Sequence, residues 1–182
     1  EITPLYFYNR PLAAEDHLMR LESVLKELKR FNPSKKWSYH LVDMKEVNEK
    51  LMEEVEKGRM MVHRAIMFRV AEKIAEKEGL SGVVTGESMG QKSSQTVTNL
   101  KTTSGEIDIP VHRPLLTHSK NEIVEKARQI GTFELSEIDS ACRSISPESP
   151  ATRMRREELE KLSERVDIEG LVAKALESAE IK

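Results

Sequence analysis

Short apolar runs alternate with longer amphipathic stretches along most of the chain, and this predicts alternating strands and helices. The strand-like runs cover residues 5–8, 37–42, 82–85 and 107–112. Between them, apolar residues recur at three- and four-residue steps, which predicts helices over 13–31, 47–56, 60–78 and 119–130. Because parallel strands need long crossover connections, this order predicts an α/β fold with a doubly wound parallel sheet.

The pattern changes after Gly131. Residues 132–150 contain the single cysteine and proline turns, whereas 153–164 and 168–178 are charged and weakly amphipathic. We therefore expect a main domain over residues 1–150 and a helical C-terminal tail over 151–182. The residues between 100 and 105 give no clear element, and the absence of an internal repeat argues against a solenoid.

The connection after the third strand-like run carries candidate chemistry. Gly86 and Gly90 permit positive φ and close backbone approach, and the stretch 85–96 is otherwise rich in hydroxyl and amide side chains. Ligands of open α/β sheets bind beyond the carboxyl ends of the strands. This loop is therefore predicted to bind a phosphate or a nucleotide, the alternative being a polar connection without a ligand.

Composition narrows the function classes only slightly. With 38% hydrophobic and 33% charged residues, the 182-residue chain can form one domain with a core. A net charge of −2 argues against a globally basic nucleic-acid binder, but it leaves room for a local patch at Arg153, Arg155 and Arg156. No apolar run is long enough to cross a bilayer and no leader pattern opens the chain, so we expect a cytoplasmic protein.

Cysteine and histidine usage gives two further expectations. Cys142 is the single cysteine, so it is an inert buried thiol, a reactive thiol, or one half of a bond to another chain. Its polar neighbours favour an exposed loop. The histidines have no spacing that would complete a metal site with it, and we expect no protein-bound metal.

An ordered set of motifs resembles a known family. The pieces are residues 85–100 (TGESMGQKSSQTVTNL), 113–116 (RPLL), 119–120 (SK), 127–132 (ARQIGT), and Cys142 ahead of 146–152 (SPESPAT). Together they resemble the PP-loop domain, of the adenine nucleotide alpha-hydrolase type, of tRNA 4-thiouridine synthetases, a family also linked to thiamine biosynthesis. The form without a rhodanese domain, of archaeal type, fits best.

The resemblance implies an ATP-dependent tRNA sulfurtransferase. ATP, with Mg²⁺, would adenylate a uridine carbonyl oxygen of tRNA, and a persulfide sulfur would then displace AMP to give 4-thiouridine. The implied partners are tRNA and a sulfur donor such as a cysteine desulfurase persulfide or sulfide. A related sulfur-donor role in thiazole synthesis occurs in some members.

The resemblance also assigns roles to individual residues. Those implied to bind the nucleotide are Gly86 and Gln95, Arg64 near the phosphates, and Phe7 and Tyr8 beside the base. Lys120 matches a lysine required for activation, where a fixed cation stabilises charge on the transferring phosphoryl group. Cys142 matches the cysteine that resolves the persulfide.

Each assignment has a structural alternative that the pattern leaves open. Lys120 fits a solvated first turn, Arg64 fits a charged helix surface, Cys142 fits a small core residue, and Phe7 and Tyr8 fit an ordinary strand.

Three features found in members of the family are missing from the sequence. The Ser-Gly-Gly-x-Asp-Ser signature that cradles pyrophosphate is absent, as are the RNA-binding module and a rhodanese domain. We expect Glu1 to fall where the second strand of the domain begins, so that this chain alone binds ATP poorly and is inactive. The unpaired strand edge would then favour a homodimer.

Two other functions remain open at this point. One is a non-catalytic nucleotide- or RNA-binding or assembly module that keeps the fold, and the other is a different PP-loop enzyme.

Overall fold

The computed structural model describes residues 2–9, 15–31, 37–90, 95–137, 151 and 153–182. The strands are β1 (Leu5–Tyr8), β2 (His40–Asp43), β3 (Val83–Val84), β4 (Val111–His112) and β5 (Glu180–Ile181). The helices are α1 (Glu15–Leu28), α2 (Lys45–Glu54), α3 (Arg59–Glu78), α4 (Val97–Ser104), α5 (Lys120–Gln129), α6 (Phe133–Ser136), α7 (Arg156–Arg165) and α8 (Ile168–Glu177).

The described strands form two sheets, and the pairs predicted from the sequence are parallel. β1 pairs with β2 in a register that places Leu5 opposite His40 and Tyr8 opposite Asp43. β3 pairs with β4 in the same parallel sense, with Val83 opposite Val111. The short strand β5, which the sequence did not predict, adds to the other side of β2 in antiparallel orientation. The predicted α/β class with parallel strands is confirmed.

The long helix α3 links the two sheets to the rest of the core. It begins after Gly58 and ends at Gly79, and both glycines have positive φ, 83° and 69°, which residues with a Cβ adopt only at a steric cost. One side of the helix is buried and contacts α2, α4, α7, α8 and β3. Because α3 is fixed on so many sides, side chains along it have well-defined positions.

The two C-terminal helices complete the core rather than lying on its surface. Leu159 of α7 and Leu171 and Val172 of α8 are at most 5% exposed. They belong to one apolar cluster with buried residues of β2, α2 and α3. The segment predicted as a weakly amphipathic tail therefore supplies essential apolar contacts.

Several element boundaries differ from the prediction. The fourth strand is confined to Val111–His112, because the backbone N–H groups of Asp108 and Ile109 donate to the Glu72 carboxylate, at 2.6 and 3.2 Å, instead of to a neighbouring strand. Helix α4 begins earlier than the unclear segment suggested, since Thr96 caps it by accepting from the Asn99 N–H at 3.2 Å. The short helix α6 was not predicted.

Within the part of the chain that the structure describes, every helix is too short or too polar to span a bilayer.

Candidate nucleotide-binding site

The loop that follows β3 is fastened to the segment that follows β4. The N–H of Thr85 donates to the His112 carbonyl at 2.9 Å, continuing the ladder beyond the strands. Farther along, the Ser88 hydroxyl donates to the His118 carbonyl at 2.7 Å and the Met89 N–H donates to the Leu116 carbonyl at 2.9 Å. The polar loop therefore lies at the carboxyl edge of the parallel pair and beside the start of α5.

A buried cluster of three charged side chains lies at this edge. Glu87, only 6% exposed, accepts through Oε2 from Arg113 Nε at 2.6 Å and from the Thr85 hydroxyl at 3.0 Å. Its other oxygen, Oε1, forms an ion pair with Arg64 of α3. The cluster therefore joins three elements: α3, the loop after β3 and the segment after β4.

The cluster carries more positive than negative charge. Burial, together with the charge of Arg113, lowers the pKa of Arg64 to about 10, and burial lowers the pKa of Arg113. A guanidinium with a pKa of about 10 remains protonated at neutral pH, so two cations face one carboxylate. The Arg113 guanidinium also lies 5.9 Å from the centre of the Phe68 ring, within cation–π range.

Two guanidinium donors of this cluster are left without acceptors. Arg64 Nε and Arg113 Nη2 are buried, and neither has a hydrogen-bond partner among the described residues. Buried polar groups are nearly always hydrogen-bonded in folded proteins, and orphaned ones need an explanation. Excess positive charge with unused guanidinium donors is the arrangement that binds phosphate oxygens.

Gly86 and Gln95 bracket the same loop. Among the described residues, nothing lies within 4 Å of the position that a Gly86 Cβ would occupy. Gln95 closes the loop, since its carbonyl accepts from the N–H of Gly90 at 3.0 Å, and Gly90 has a φ of 77°. The side-chain Oε1 of Gln95 is buried without a donor among the described residues. Arg64, which comes from a different segment, thus lies beside the loop that contains Gly86 and Gln95.

The remaining predicted residues have other surroundings. Phe7 packs against the apolar core, and Tyr8 is 6% exposed at the end of β1, where its carbonyl accepts from the Met44 N–H at 2.7 Å. Lys120 is exposed in the first turn of α5, next to Ser119, which caps that helix in a capping box with Glu122. Cys142 lies outside the described residues. The functional roles of all seven predicted site residues remain predictions.

Comparison with known proteins identifies the family. A family model described as thiamine biosynthesis protein (ThiI) matches residues 1–168. The chain belongs to the ThiI family.

Relatives of this ThiI-family chain carry consistent names. It is 38% identical over 151 residues to a probable tRNA sulfurtransferase of Halobacterium salinarum, covering 83% of this chain and 38% of the relative. It is 33% identical over 184 residues to one of Acetivibrio thermocellus (100% and 46%) and 31% identical over 182 residues to one of Bacillus subtilis (98% and 45%). The chain thus spans less than half the length of these relatives.

A solved structure confirms the fold of the ThiI-family domain. A chain in the crystal structure of a 4-thiouridine synthetase–RNA complex with bound ATP matches with a TM-score of 0.92 and 35% identity, over 100% of this chain and 48% of that one. The PP-loop fold expected from the motifs is therefore the fold of this chain.

Sequence reasoning missed two members of the charged cluster. Glu87 and Arg113 both lie inside motifs quoted for the ThiI resemblance, yet neither was given a role. The available signal was positional: one follows β3, the other follows β4, and the carboxyl ends of adjacent parallel strands meet at one edge.

Among the described residues, no group of three or more His, Cys, Asp or Glu side chains is arranged to hold a metal ion.

Proposed function

We propose that this chain supplies the nucleotide-binding part of an ATP-dependent tRNA sulfurtransferase that makes 4-thiouridine. The observation that carries the proposal is the buried cluster of Arg64, Glu87 and Arg113, with unpartnered guanidinium donors at the carboxyl edge of a parallel strand pair. The names of the relatives and the ATP and RNA named for the matching structure support the same activity.

In this proposal, the loop after β3 holds the nucleotide. Gly86 leaves room for close approach, Gln95 offers a buried amide oxygen, and Arg64 contributes positive charge toward the phosphates. Phe7 and Tyr8, at the end of β1, lie beside the base. When bound, ATP supplies the adenylyl group that turns the uridine carbonyl oxygen into a leaving group. Mg²⁺ would be held chiefly by phosphate oxygens and water, as is usual for this ion.

Two residues act in the steps that follow binding. Lys120, at the start of α5, stabilises with its positive charge the negative charge that develops during activation. With a persulfide donor, the outer sulfur displaces AMP from the activated carbon and stays bonded to the donor's inner sulfur. The Cys142 thiolate then attacks that inner sulfur, which breaks the sulfur–sulfur bond, releases 4-thiouridine and leaves a disulfide between Cys142 and the donor cysteine; a thiol reductant restores Cys142. The sulfur arrives as a persulfide from a cysteine desulfurase or as sulfide, and the substrate is tRNA.

The two separate sheets support a division of the domain between this chain and a further strand. Among the described strands, β1 pairs with β2 and β3 pairs with β4, which leaves one edge of β1 and one edge of β3 open. We propose that residues 1–150 form the PP-loop domain without one strand and its phosphate-binding signature loop, and that residues 151–182 close its core. A homodimer that covers the open edges is the alternative, and sedimentation of the full-length protein separates the two.

The test is a tRNA thiolation assay with ATP and a persulfide donor. We expect Lys120→Ala to lower turnover by about 100-fold or more in the full-length protein, a loss typical of removing a group that stabilises transition-state charge. Cys142→Ser should abolish multiple turnover. Lys126→Ala, a change to another exposed lysine of α5, is the matched control and should retain activity.

Three outcomes contradict the proposal. Full activity of both variants would remove the assigned roles. Absence of thiolation by the full-length wild type would favour a non-catalytic binding or assembly module. Tight ATP binding by residues 1–182 alone would contradict the proposed need for a further strand and loop.

A further inference from the structure

Glu87 is an unexpected residue at a site for phosphate. A carboxylate repels phosphate, yet this one is 6% exposed and lies immediately beyond Gly86 in the loop proposed to hold the nucleotide. Its Oε2 accepts a hydrogen bond from Arg113, and its Oε1 is ion-paired with Arg64 without a hydrogen bond among the described residues. Glu87 therefore acts through the two arginines that it contacts.

Glu87 is the bridge between two arginines that come from different elements. Arg64 projects from α3, and Arg113 follows β4, so neither element by itself fixes one guanidinium relative to the other. The carboxylate pairs with Arg64 through Oε1 and with Arg113 through Oε2. The Thr85 hydroxyl donates to Oε2 at 3.0 Å and limits rotation of the carboxylate. One side chain thus fixes the positions of both guanidinium groups.

Without that bridge, the two arginines would be unfavourable neighbours. Their side chains are 15% and 11% exposed, so water screens their mutual repulsion only weakly. With Glu87 present, the cluster keeps one net positive charge, and Arg64 Nε and Arg113 Nη2 remain without acceptors among the described residues. A ligand with several anionic oxygens supplies hydrogen-bond acceptors for these two N–H groups and negative charge that balances the net positive charge of the cluster.

We propose that Glu87 is a positioning residue, which holds Arg64 and Arg113 side by side so that their unpartnered N–H groups bind one phosphate group of the nucleotide. The inference rests on the proposed function, because it assumes that this loop receives ATP. It adds Arg113 as a second phosphate-binding residue and gives the carboxylate a role through the two arginines. The nucleoside part of the ligand makes no use of this arrangement.

The test compares ATP with adenosine, which lacks the phosphates. Affinities of the full-length protein are measured by titration calorimetry for ATP and by ligand-observed NMR for adenosine. Glu87→Gln keeps the side-chain volume but removes the charge, and we expect ATP to bind about tenfold or more weakly, the loss of at least one charge-assisted contact. Adenosine affinity should stay within about twofold, because uncharged ligands gain nothing from the guanidiniums.

The matched control is Glu106→Gln. Glu106 is also a buried glutamate, with its side chain 4% exposed, and it accepts from Arg69 Nε and Nη2 of the same helix α3 at 3.2 and 2.8 Å. Loss of this pair should lower the thermal stability of the protein. It should leave the ratio of ATP to adenosine affinity unchanged, which separates positioning of a phosphate site from general loss of a buried ion pair.

A second variant keeps the inference falsifiable if Glu87→Gln does not fold. Arg113→Lys retains the positive charge but replaces the planar fork with a single ammonium, and we expect the same selective loss of ATP affinity. Unchanged ATP affinity in either variant, or an equal loss for ATP and adenosine, overturns the inference while the proposed function stands. Failure of the full-length wild type to bind ATP overturns both.

Discussion

Asn99 is the main link between the helix that follows the nucleotide loop and the C-terminal part of the chain. The side chain is fully buried, with 0% exposure. Its Nδ2 donates to the Ala151 carbonyl at 2.9 Å, and its Oδ1 accepts from the Met154 N–H at 2.8 Å. Asn99→Ala removes the side-chain amide, so the Ala151 carbonyl and the Met154 N–H both lose their hydrogen-bond partner.

The expected loss follows from those two groups. Leaving a buried donor or acceptor without a partner costs about 1–3 kcal/mol, so the loss of two partners in Asn99→Ala should lower the free energy of unfolding by about 2–6 kcal/mol. Thr102 supplies a further bond to the same segment, since its hydroxyl donates to the Met154 carbonyl at 2.9 Å. Because both side chains bind Met154, we expect Asn99→Ala and Thr102→Val to be non-additive by about 0.5 kcal/mol or more.

Urea denaturation of the full-length protein, followed by circular dichroism, measures these changes. The control is Lys101→Ala, an exposed change on the same helix, which should alter the free energy of unfolding by no more than about 0.5 kcal/mol. If Asn99→Ala costs less than about 1 kcal/mol, or if the pair is strictly additive, the amide does not anchor residues 151 and 154 as described.

Two further predictions concern the core around α3. His63, whose Nδ1 is buried and has no hydrogen-bond partner among the described residues, has its pKa lowered from 6.5 to about 4 by burial and by Arg64, a difference that corresponds to about 3 kcal/mol. As the pH falls, His63 is protonated in the unfolded chain before it is protonated in the folded protein. Its contribution to the free energy of unfolding is therefore complete above pH 6.5 and is lost as the pH falls toward 4. The measurement is the drop in the free energy of unfolding between pH 7 and pH 4.5. We expect this drop to be about 2 kcal/mol smaller in His63→Gln than in the wild type or in the exposed control His112→Gln. Equal drops in all three proteins would contradict the assignment. Leu159→Ala should cost about 2–5 kcal/mol in the same assay, because the side chain is 0% exposed in the core, whereas exposed Lys161→Ala should cost less than about 0.5 kcal/mol; a similar small effect of both would mean that α7 is peripheral.

The fold was predictable where local pattern and tertiary packing agree. β1 and α3 match their predicted ranges closely, because their apolar periodicity is strong and glycines end α3. α4 was obscure because its threonine-rich sequence has low helix propensity. It is stabilised instead by the Thr96 cap and by burial of residues such as Thr103. Tertiary contacts overrode propensity there.

The C-terminal helices illustrate a second limit of sequence reasoning. α7 has few apolar residues among many charges, so its amphipathic signal is weak. Yet Leu159 and Val166 are each at most 1% exposed, because both pack into the main apolar cluster of the core. The sequence pattern shows how many apolar side chains a helix has, but tertiary packing determines how deeply they are buried.

The candidate site was predictable in its location but not in its electrostatics. The glycines, hydroxyls and amides of the loop after β3 indicated a phosphate site, and Arg64, Gly86 and Gln95 do lie around that loop. The pairing of Glu87 with Arg64 and Arg113 depends on where α3 lies relative to the segments that follow β3 and β4. Spacing along the sequence does not encode that tertiary arrangement.

The antiparallel strand β5 affects how the molecule meets its neighbours in solution. β2 is buried along three of its four residues, and an unprotected β2 edge would offer strand-pairing groups next to a strongly apolar surface. β5 covers that edge with two exposed residues, one of them Glu180, and Lys182 follows with its backbone paired to Tyr39. A two-residue strand offers another chain few backbone groups to pair with. Within the part of the chain that the structure describes, β5 therefore leaves a shorter pairing edge on this side of the sheet than β2 alone would.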